Sequence, residues 1–127
     1  MAPSARESSD KAIGISVIVP MYNAAENAAD LVRALNASLA QAGRSWEIVL
    51  VNDGSTDRTE AVARTIAGAD EHVRVASYIP NRGRGKALRT GFAAARGEFV
   101  AAIDADLSYE PRYMIATFRP APTENAA

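Results

Sequence analysis

The stretch Trp46-Glu47-Ile48-Val49-Leu50-Val51-Asn52-Asp53-Gly54-Ser55-Thr56-Asp57 decides the fold. Ile48 to Val51 form an apolar run with no polar alternation, as a strand covered on both faces requires. Asp53 to Asp57 then make a turn rich in helix N-cap residues. A helix is expected to follow to about residue 69, with Val62, Ala63 and Ile66 inward and Asp57 with Glu60 as a capping box. The same strand–turn–helix unit recurs on either side. Upstream, an apolar strand over 13–20 stops at Pro20. The pattern after it predicts a helix over 23–42, with Ala28, Leu31, Val32, Leu35 and Leu39 on one face, Asn23 as cap and Gly43 as stop. Downstream come a strand over 72–79 ending at Pro80, a basic loop over 81–86, and a helix over 87–96 with Leu88, Phe92 and Ala95 inward. A strand over 99–103 and the start of a fourth helix over 111–118, with Pro111 in its first turn, complete the pattern. The order β-α-β-α-β-α-β-(α) places the chain in the α/β class, with a parallel sheet and helices on both faces.

Residues 1–12 read as a disordered leader, 13–118 as the α/β domain and 119–127 as a disordered tail. At 127 residues and net charge −1, the chain suits one domain and lacks the basic excess of a nucleic-acid coat. It has no Cys, which excludes a disulfide framework, a Cys-ligated zinc site and a Cys nucleophile. No apolar run approaches the roughly 20 residues of a membrane span. A cytoplasmic location follows as the expectation. The single His, His72, falls at a strand start beside Asp70 and Glu71 and is expected to be exposed, so a Ser-His-Asp hydrolase is disfavoured. Trp46 and Phe92 read as core residues.

The four strand ends carry the chemistry. In a doubly wound sheet, ligands bind outside the carboxyl ends of the strands. Those ends here are Pro20-Met21-Tyr22-Asn23, Asn52-Asp53-Gly54-Ser55, the loop from Pro80 to Lys86, and Asp104-Ala105-Asp106, while the opposite ends are blander. Asp104 and Asp106 set two carboxylates near one point, where a divalent cation relieves their repulsion; Mg²⁺ and Mn²⁺ favour such oxygen ligands. A solvated turn pair is the plainer alternative. Asp53 is placed to accept a hydrogen bond from a base N–H or, equally, to serve the turn. Arg82, Arg84 and Lys86, with Gly83 and Gly85 between them, favour an anion such as phosphate, or else form a solvated basic loop.

Taken together, Val17 to Asn23, Glu47 to Asp57, Asn81-x-Gly-x-Gly-x-Ala and Asp104-Ala105-Asp106-Leu107-Ser108 resemble the family 2 inverting glycosyltransferases. Within that family, Asp-Ala-Asp-Leu followed by Pro111 is most similar to the polyprenol-phosphate (dolichol-phosphate) mannosyl- and glucosyltransferases. The resemblance covers about residues 13 to 118 and implies the N-terminal half of a GT-A fold, with its Rossmann-like sheet. It implies transfer of a sugar, with inversion, from a nucleotide-diphosphate sugar (GDP-mannose or UDP-glucose) to a polyprenyl or dolichyl phosphate or another acceptor. Pro20, Tyr22 and Asn23 would line the base pocket and Asp53 would bond the base. Asn81, Arg82, Gly83 and Lys86 would face the nucleotide. Asp104 and Ala105 would lie near the donor, and Asp104 and Asp106 would hold Mg²⁺ or Mn²⁺ and carry the chemistry. Asn52 stands where the family often has an Asp, with little effect expected on the base contact.

Family members continue well past the last motif, so a donor-binding half, inactive alone, is the expectation, with a peripheral membrane position if the acceptor is a lipid phosphate. Two rival readings stand beside it: a nucleotide-binding remnant that pairs through a sheet edge, and a Mg²⁺-dependent haloacid-dehalogenase-like phosphatase, which normally carries Asp-x-Asp after its first strand rather than its fourth.

Overall fold

The computed structural model describes residues 13–105 and, beyond them, the backbone of one further strand, Ile115–Phe118. The expected leader and tail, Asp106 and the Pro111 turn lie outside the described residues. The elements are β1 (Ile15–Met21), α1 (Ala28–Leu39), β2 (Trp46–Asp53), α2 (Thr59–Ala69), β3 (Val73–Tyr78), α3 (Arg84–Ala94), β4 (Phe99–Ala102) and β5 (Ile115–Phe118). They form one sheet in the order β3-β2-β1-β4-β5. The pairs β1–β2, β1–β4 and β2–β3 are parallel. From β1 the chain builds outward to β3 and then returns to place β4 on the other side of β1. The switch point, where a crevice opens for ligands, therefore lies between β1 and β4.

Both sheet faces are covered, as the unbroken apolar runs require. Val17, Val19 and Met21 of β1 and Ile48 and Leu50 of β2 face α1 and α2 in one buried cluster. On α1 the buried side chains are the five expected. Ile18, Val49 and Val51 face α3 in the other cluster. Small residues make the α3 contact: Ala87, Gly91 and Ala95 are buried, whereas Phe92, expected inside, is 36% exposed. A Cβ on Gly91 would lie 2.3 Å from Ile18 Cγ2, so α3 sits against the sheet at a distance only glycine permits. Gly91→Ala would gain about 1 kcal/mol of helix propensity, but overpacking costs about 1–3 kcal/mol. The variant is expected to be net destabilised in urea unfolding; a stabilised variant would show that α3 can move off β1.

Several boundaries differ from the sequence reading. The first helix begins at Ala28 rather than at residue 24, because Asn23 adopts φ 53° and its Oδ1 accepts the Thr56 N–H at 2.9 Å instead of capping. Asp57 stands one residue before the N-cap, Arg58, where its carboxylate accepts the Thr59 N–H at 2.8 Å in a local turn, and Glu60 pairs with Arg64, so the expected capping box does not form. Helix α3 starts three residues early, at Arg84, where Gly83 turns the chain with φ 95°. The segment 115–118, expected as helix, is a strand antiparallel to β4, with Ala102 opposite Ile115 and Phe99 opposite Phe118. Its β-branched and aromatic residues suit a strand, and pairing with β4 satisfies backbone groups there. The sheet is thus parallel over four strands and mixed at one edge.

The end of the sheet away from the strands' carboxyl termini is not bland. Glu47, opposite Ser16 in the register, is 2% exposed. Its carboxylate accepts from the Ser16 hydroxyl at 2.6 Å, the Arg96 backbone N–H at 2.8 Å, Arg74 Nε at 3.0 Å and the Arg96 guanidinium at 3.3 Å. Burial alone would raise its pKa. The Ser16 hydroxyl, the Arg96 N–H and Arg74 outweigh burial and hold it below the ordinary glutamate value. The Arg74 guanidinium also donates to the Ala94 carbonyl, and the Gly97 N–H to Ser16 Oγ, so this one carboxylate ties β1, β2 and β3 to the end of α3. Near the same edge His72, expected to be exposed, is half-buried and stacked on Trp46 at 4.0 Å between ring centroids.

Candidate functional site

The carboxyl ends of β1, β2 and β4 and the start of α3 border an open cavity of about 480 Å³. Of the residues singled out from sequence, Pro20, Tyr22, Asn23, Asp53, Asn81, Gly83, Asp104 and Ala105 line it. Arg82 and Lys86 do not: Lys86 Nζ instead lies over the Tyr78 ring, 5.9 Å from its centroid. Asp106 lies outside the described residues. Met21, Ala24, Asn27, Arg84 and Ala87 also line the cavity. Arg84 does so because Gly83 ends the loop early and makes it the first helical residue, which sequence spacing alone does not reveal.

The wall beside α1 is laced to the second turn. Asn23 N donates to Ser55 Oγ and Ala24 N to Thr59 Oγ1, each at 2.9 Å. Those hydroxyls hold the Tyr22–Asn23 corner open, leaving Tyr22 50% exposed at the mouth. Asn52 faces elsewhere: its side chain donates to Ser77 and accepts from the Ser55 N–H.

Asp53 organises the opposite wall. It is 4% exposed, and its carboxylate accepts the Arg82 N–H at 2.8 Å, Asn81 Nδ2 at 2.8 Å and the Gly83 N–H at 3.0 Å. Asn81 Nδ2 also donates to the Asp53 carbonyl at 3.0 Å. The turn reading of Asp53 is the one these contacts show, with the loop taking three of the about four acceptor positions of the carboxylate. Gly54 permits this seat, since a Cβ there would lie 2.2 Å from Asn81 N. Behind the loop, burial first and then the Asp53 carboxylate, by hydrogen bonding before charge, push the Tyr78 phenol up to about 12.

Across the cavity, Arg84 meets Asp104, with Nε 3.0 Å and the second guanidinium nitrogen 2.8 Å from Asp104 Oδ1. Arg84 is the only cation, and Asp53 and Asp104 the only acids, among the described residues that line the cavity. No group of three His, Cys, Asp or Glu that could cage a metal exists among the described residues. Asp104, 36% exposed, does offer one hard oxygen donor, which fits a cation held by one or two carboxylates together with substrate phosphates. The site can therefore take a flat polar ring against Tyr22 and Asp53 and an anion beside Arg84.

A domain model described as glycosyl transferase family 2 matches residues 16–126, and the chain belongs to that family. It is 34% identical over 98 residues to an undecaprenyl-phosphate 4-deoxy-4-formamido-L-arabinose transferase of Salmonella paratyphi A, a match covering 76% of this chain and 30% of the relative. Among solved structures, it resembles residues 1–349 of TarS from S. aureus in complex with UDP-GlcNAc, with TM-score 0.62 and 31% identity over 74% of this chain and 27% of that one. It also resembles glucosyl-3-phosphoglycerate synthase from Mycobacterium tuberculosis in complex with Mn²⁺, UDP and glucosyl-3-phosphoglycerate, with TM-score 0.58 and 31% identity over 79% of this chain and 36% of that one. The chain thus spans about three-tenths of the length of the curated relatives it matches. The Rossmann-like α/β reading and the glycosyltransferase family are borne out.

Proposed function

We propose that the chain carries the donor site of a transferase that moves a sugar from a nucleoside-diphosphate sugar to a polyprenyl phosphate, with inversion. The observation that carries this reading is the cavity at the strand ends, where Tyr22, Asn23 and Asp53 stand on one side and Arg84 and Asp104 on the other. The first group suits a base and ribose, the second a diphosphate. The relative named for undecaprenyl phosphate and the neighbours solved with UDP-GlcNAc and with UDP point the same way.

In the reaction, the bond between the anomeric carbon and the diphosphate oxygen breaks, and its electron pair leaves with the nucleoside diphosphate. An acceptor phosphate oxygen attacks the anomeric carbon from the opposite face. That acceptor is already anionic, so a strong general base is not needed. Asp53 holds the loop from Asn81 to Gly83 in place, Tyr22 and Asn23 shape the base end, and Arg84 offers positive charge to the leaving diphosphate. Asp104 and Asp106 would hold Mg²⁺ or Mn²⁺, which would supply further neutralisation of charge on the leaving group. Among the described residues no helix is long and apolar enough to cross a membrane. A polyprenyl phosphate carries its phosphate at the membrane surface, and the acceptor would be met there.

Calorimetric titration of UDP and of GDP into the chain with Mn²⁺ tests the reading. One of the two is expected to bind, and Asp104→Asn to weaken that binding about tenfold or more. Binding that ignores the substitution would remove Asp104 from the donor site.

A further inference from the structure

Among the described residues, the one cation lining the cavity, Arg84, is paired with Asp104, a carboxylate that a divalent ion would use. Arg84 places two guanidinium nitrogens within 3.0 Å of a single Asp104 oxygen. The second acid of the cavity, Asp53, is already committed to the loop. Both partners of the ion pair reach solvent, with side chains 57% and 36% exposed, and such pairs contribute little net stability. The contact is therefore easy to exchange. Arg84 also follows directly on Gly83, at the first turn of α3, where the N–H groups of the helix favour an anion.

We propose that Arg84 is an exchange ligand. Paired with Asp104, it repels a divalent cation. When a nucleoside diphosphate arrives, the guanidinium transfers to the diphosphate and releases Asp104 to the cation. The proposal rests on the donor-site reading above. It makes cation and nucleotide interdependent, because each weakens the contact that opposes the other. Linkage requires the coupling to be equal in both directions. A phosphate-binding arginine held away from Asp104 predicts little gain in cation affinity on its removal, whereas an exchange ligand in contact with it predicts a large one.

The test uses the whole chain, with free Mn²⁺ followed by electron paramagnetic resonance and no activity readout. Wild type, Arg84→Met, Arg84→Lys and Asp104→Asn are titrated with Mn²⁺ alone, with UDP or GDP alone, and with both. Circular dichroism checks that each variant folds. Arg84→Met is expected to bind Mn²⁺ alone about fivefold tighter or more, and the nucleotide with Mn²⁺ at least about fivefold weaker. Arg84→Lys is expected to fall between Arg84→Met and wild type, since it keeps the charge without the forked contact. Unchanged or weaker Mn²⁺ binding by Arg84→Met, while Asp104→Asn still loses the nucleotide, would overturn the exchange alone. Failure of wild type to bind either nucleotide with Mn²⁺ would overturn the donor-site reading and the exchange with it.

Discussion

Replacing Gly54 by Ala is expected to destabilise the chain by about 3–5 kcal/mol and to abolish nucleotide binding. Gly54 has φ +62°, a region that costs an ordinary residue about 1–2 kcal/mol. The added Cβ would also lie 2.2 Å from Asn81 N and 2.4 Å from the Pro80 carbonyl carbon. These are backbone atoms and have no rotamer to move into. The segment after β3 must retreat, and the Arg82 and Gly83 N–H groups then leave the Asp53 carboxylate. Hydrogen bonds to a charged group are worth about 1.5–3 kcal/mol each. Gly54→Asn separates the causes: Asn tolerates positive φ but brings the same Cβ, so it is expected to fail equally. Urea unfolding measures both variants. A loss under about 1 kcal/mol would mean that the segment after Pro80 is only loosely seated on Asp53.

Glu47→Gln is expected to cost about 2–4 kcal/mol near neutral pH, less than the about 3–5 kcal/mol of a fully buried pair because Arg74 and Arg96 reach solvent. The amide keeps one acceptor but turns its NH₂ toward groups that are themselves donors. The sign of the pH dependence follows from the direction of the shift. The folded state holds the Glu47 carboxyl below its ordinary value. Its contribution is then complete above the usual glutamate range and fades as pH falls through the lowered folded value. The stability gap between wild type and Glu47→Gln should therefore be largest at neutral pH and shrink on acidification. A gap that stays constant down to about pH 3 would show that the cluster holds by packing rather than by charge.

What the sequence disclosed and what it hid follow from how local each signal is. The apolar runs of β1 and β2 and the stripe on α1 extend over many residues, and they identify the parallel part of the sheet, its covered faces and, within a residue or two, the ends of these strands. The strand-end rule then gathered Pro20, Tyr22, Asn23, Asp53, Asn81, Gly83, Asp104 and Ala105, which all line one cavity. The roles within the basic loop stayed hidden. Which of Arg82, Arg84 and Lys86 faces inward depends on the single positive φ at Gly83, and a loop sequence does not state φ. Glu47 carries no signal of its own in the sequence, because one acid before an apolar run looks like a strand boundary. Its partners Ser16, Arg74 and Arg96 are distant in sequence and meet only once the register is set. Phe92 misled for a related reason: hydrophobicity marked it as core, while the clearance over Ile18 selected glycine and alanine instead. The segment 115–118 is short enough that tertiary pairing, not propensity, decides its state.

The stacked Trp46 and His72 rings give the molecule a built-in optical gauge. Trp46 is the sole tryptophan, and its indole N–H is fixed by Asn36 Oδ1 at 2.9 Å. It opens the strand that Asp53 closes, so some seven residues at about 3.3 Å each, or about 23 Å, separate it from the cavity. Its emission therefore reports loss of the imidazole stack as the sheet comes apart, and stays silent to ligands entering at the far end. A single fluorophore can follow unfolding of every variant above while nucleotide or Mn²⁺ is present in the same cuvette.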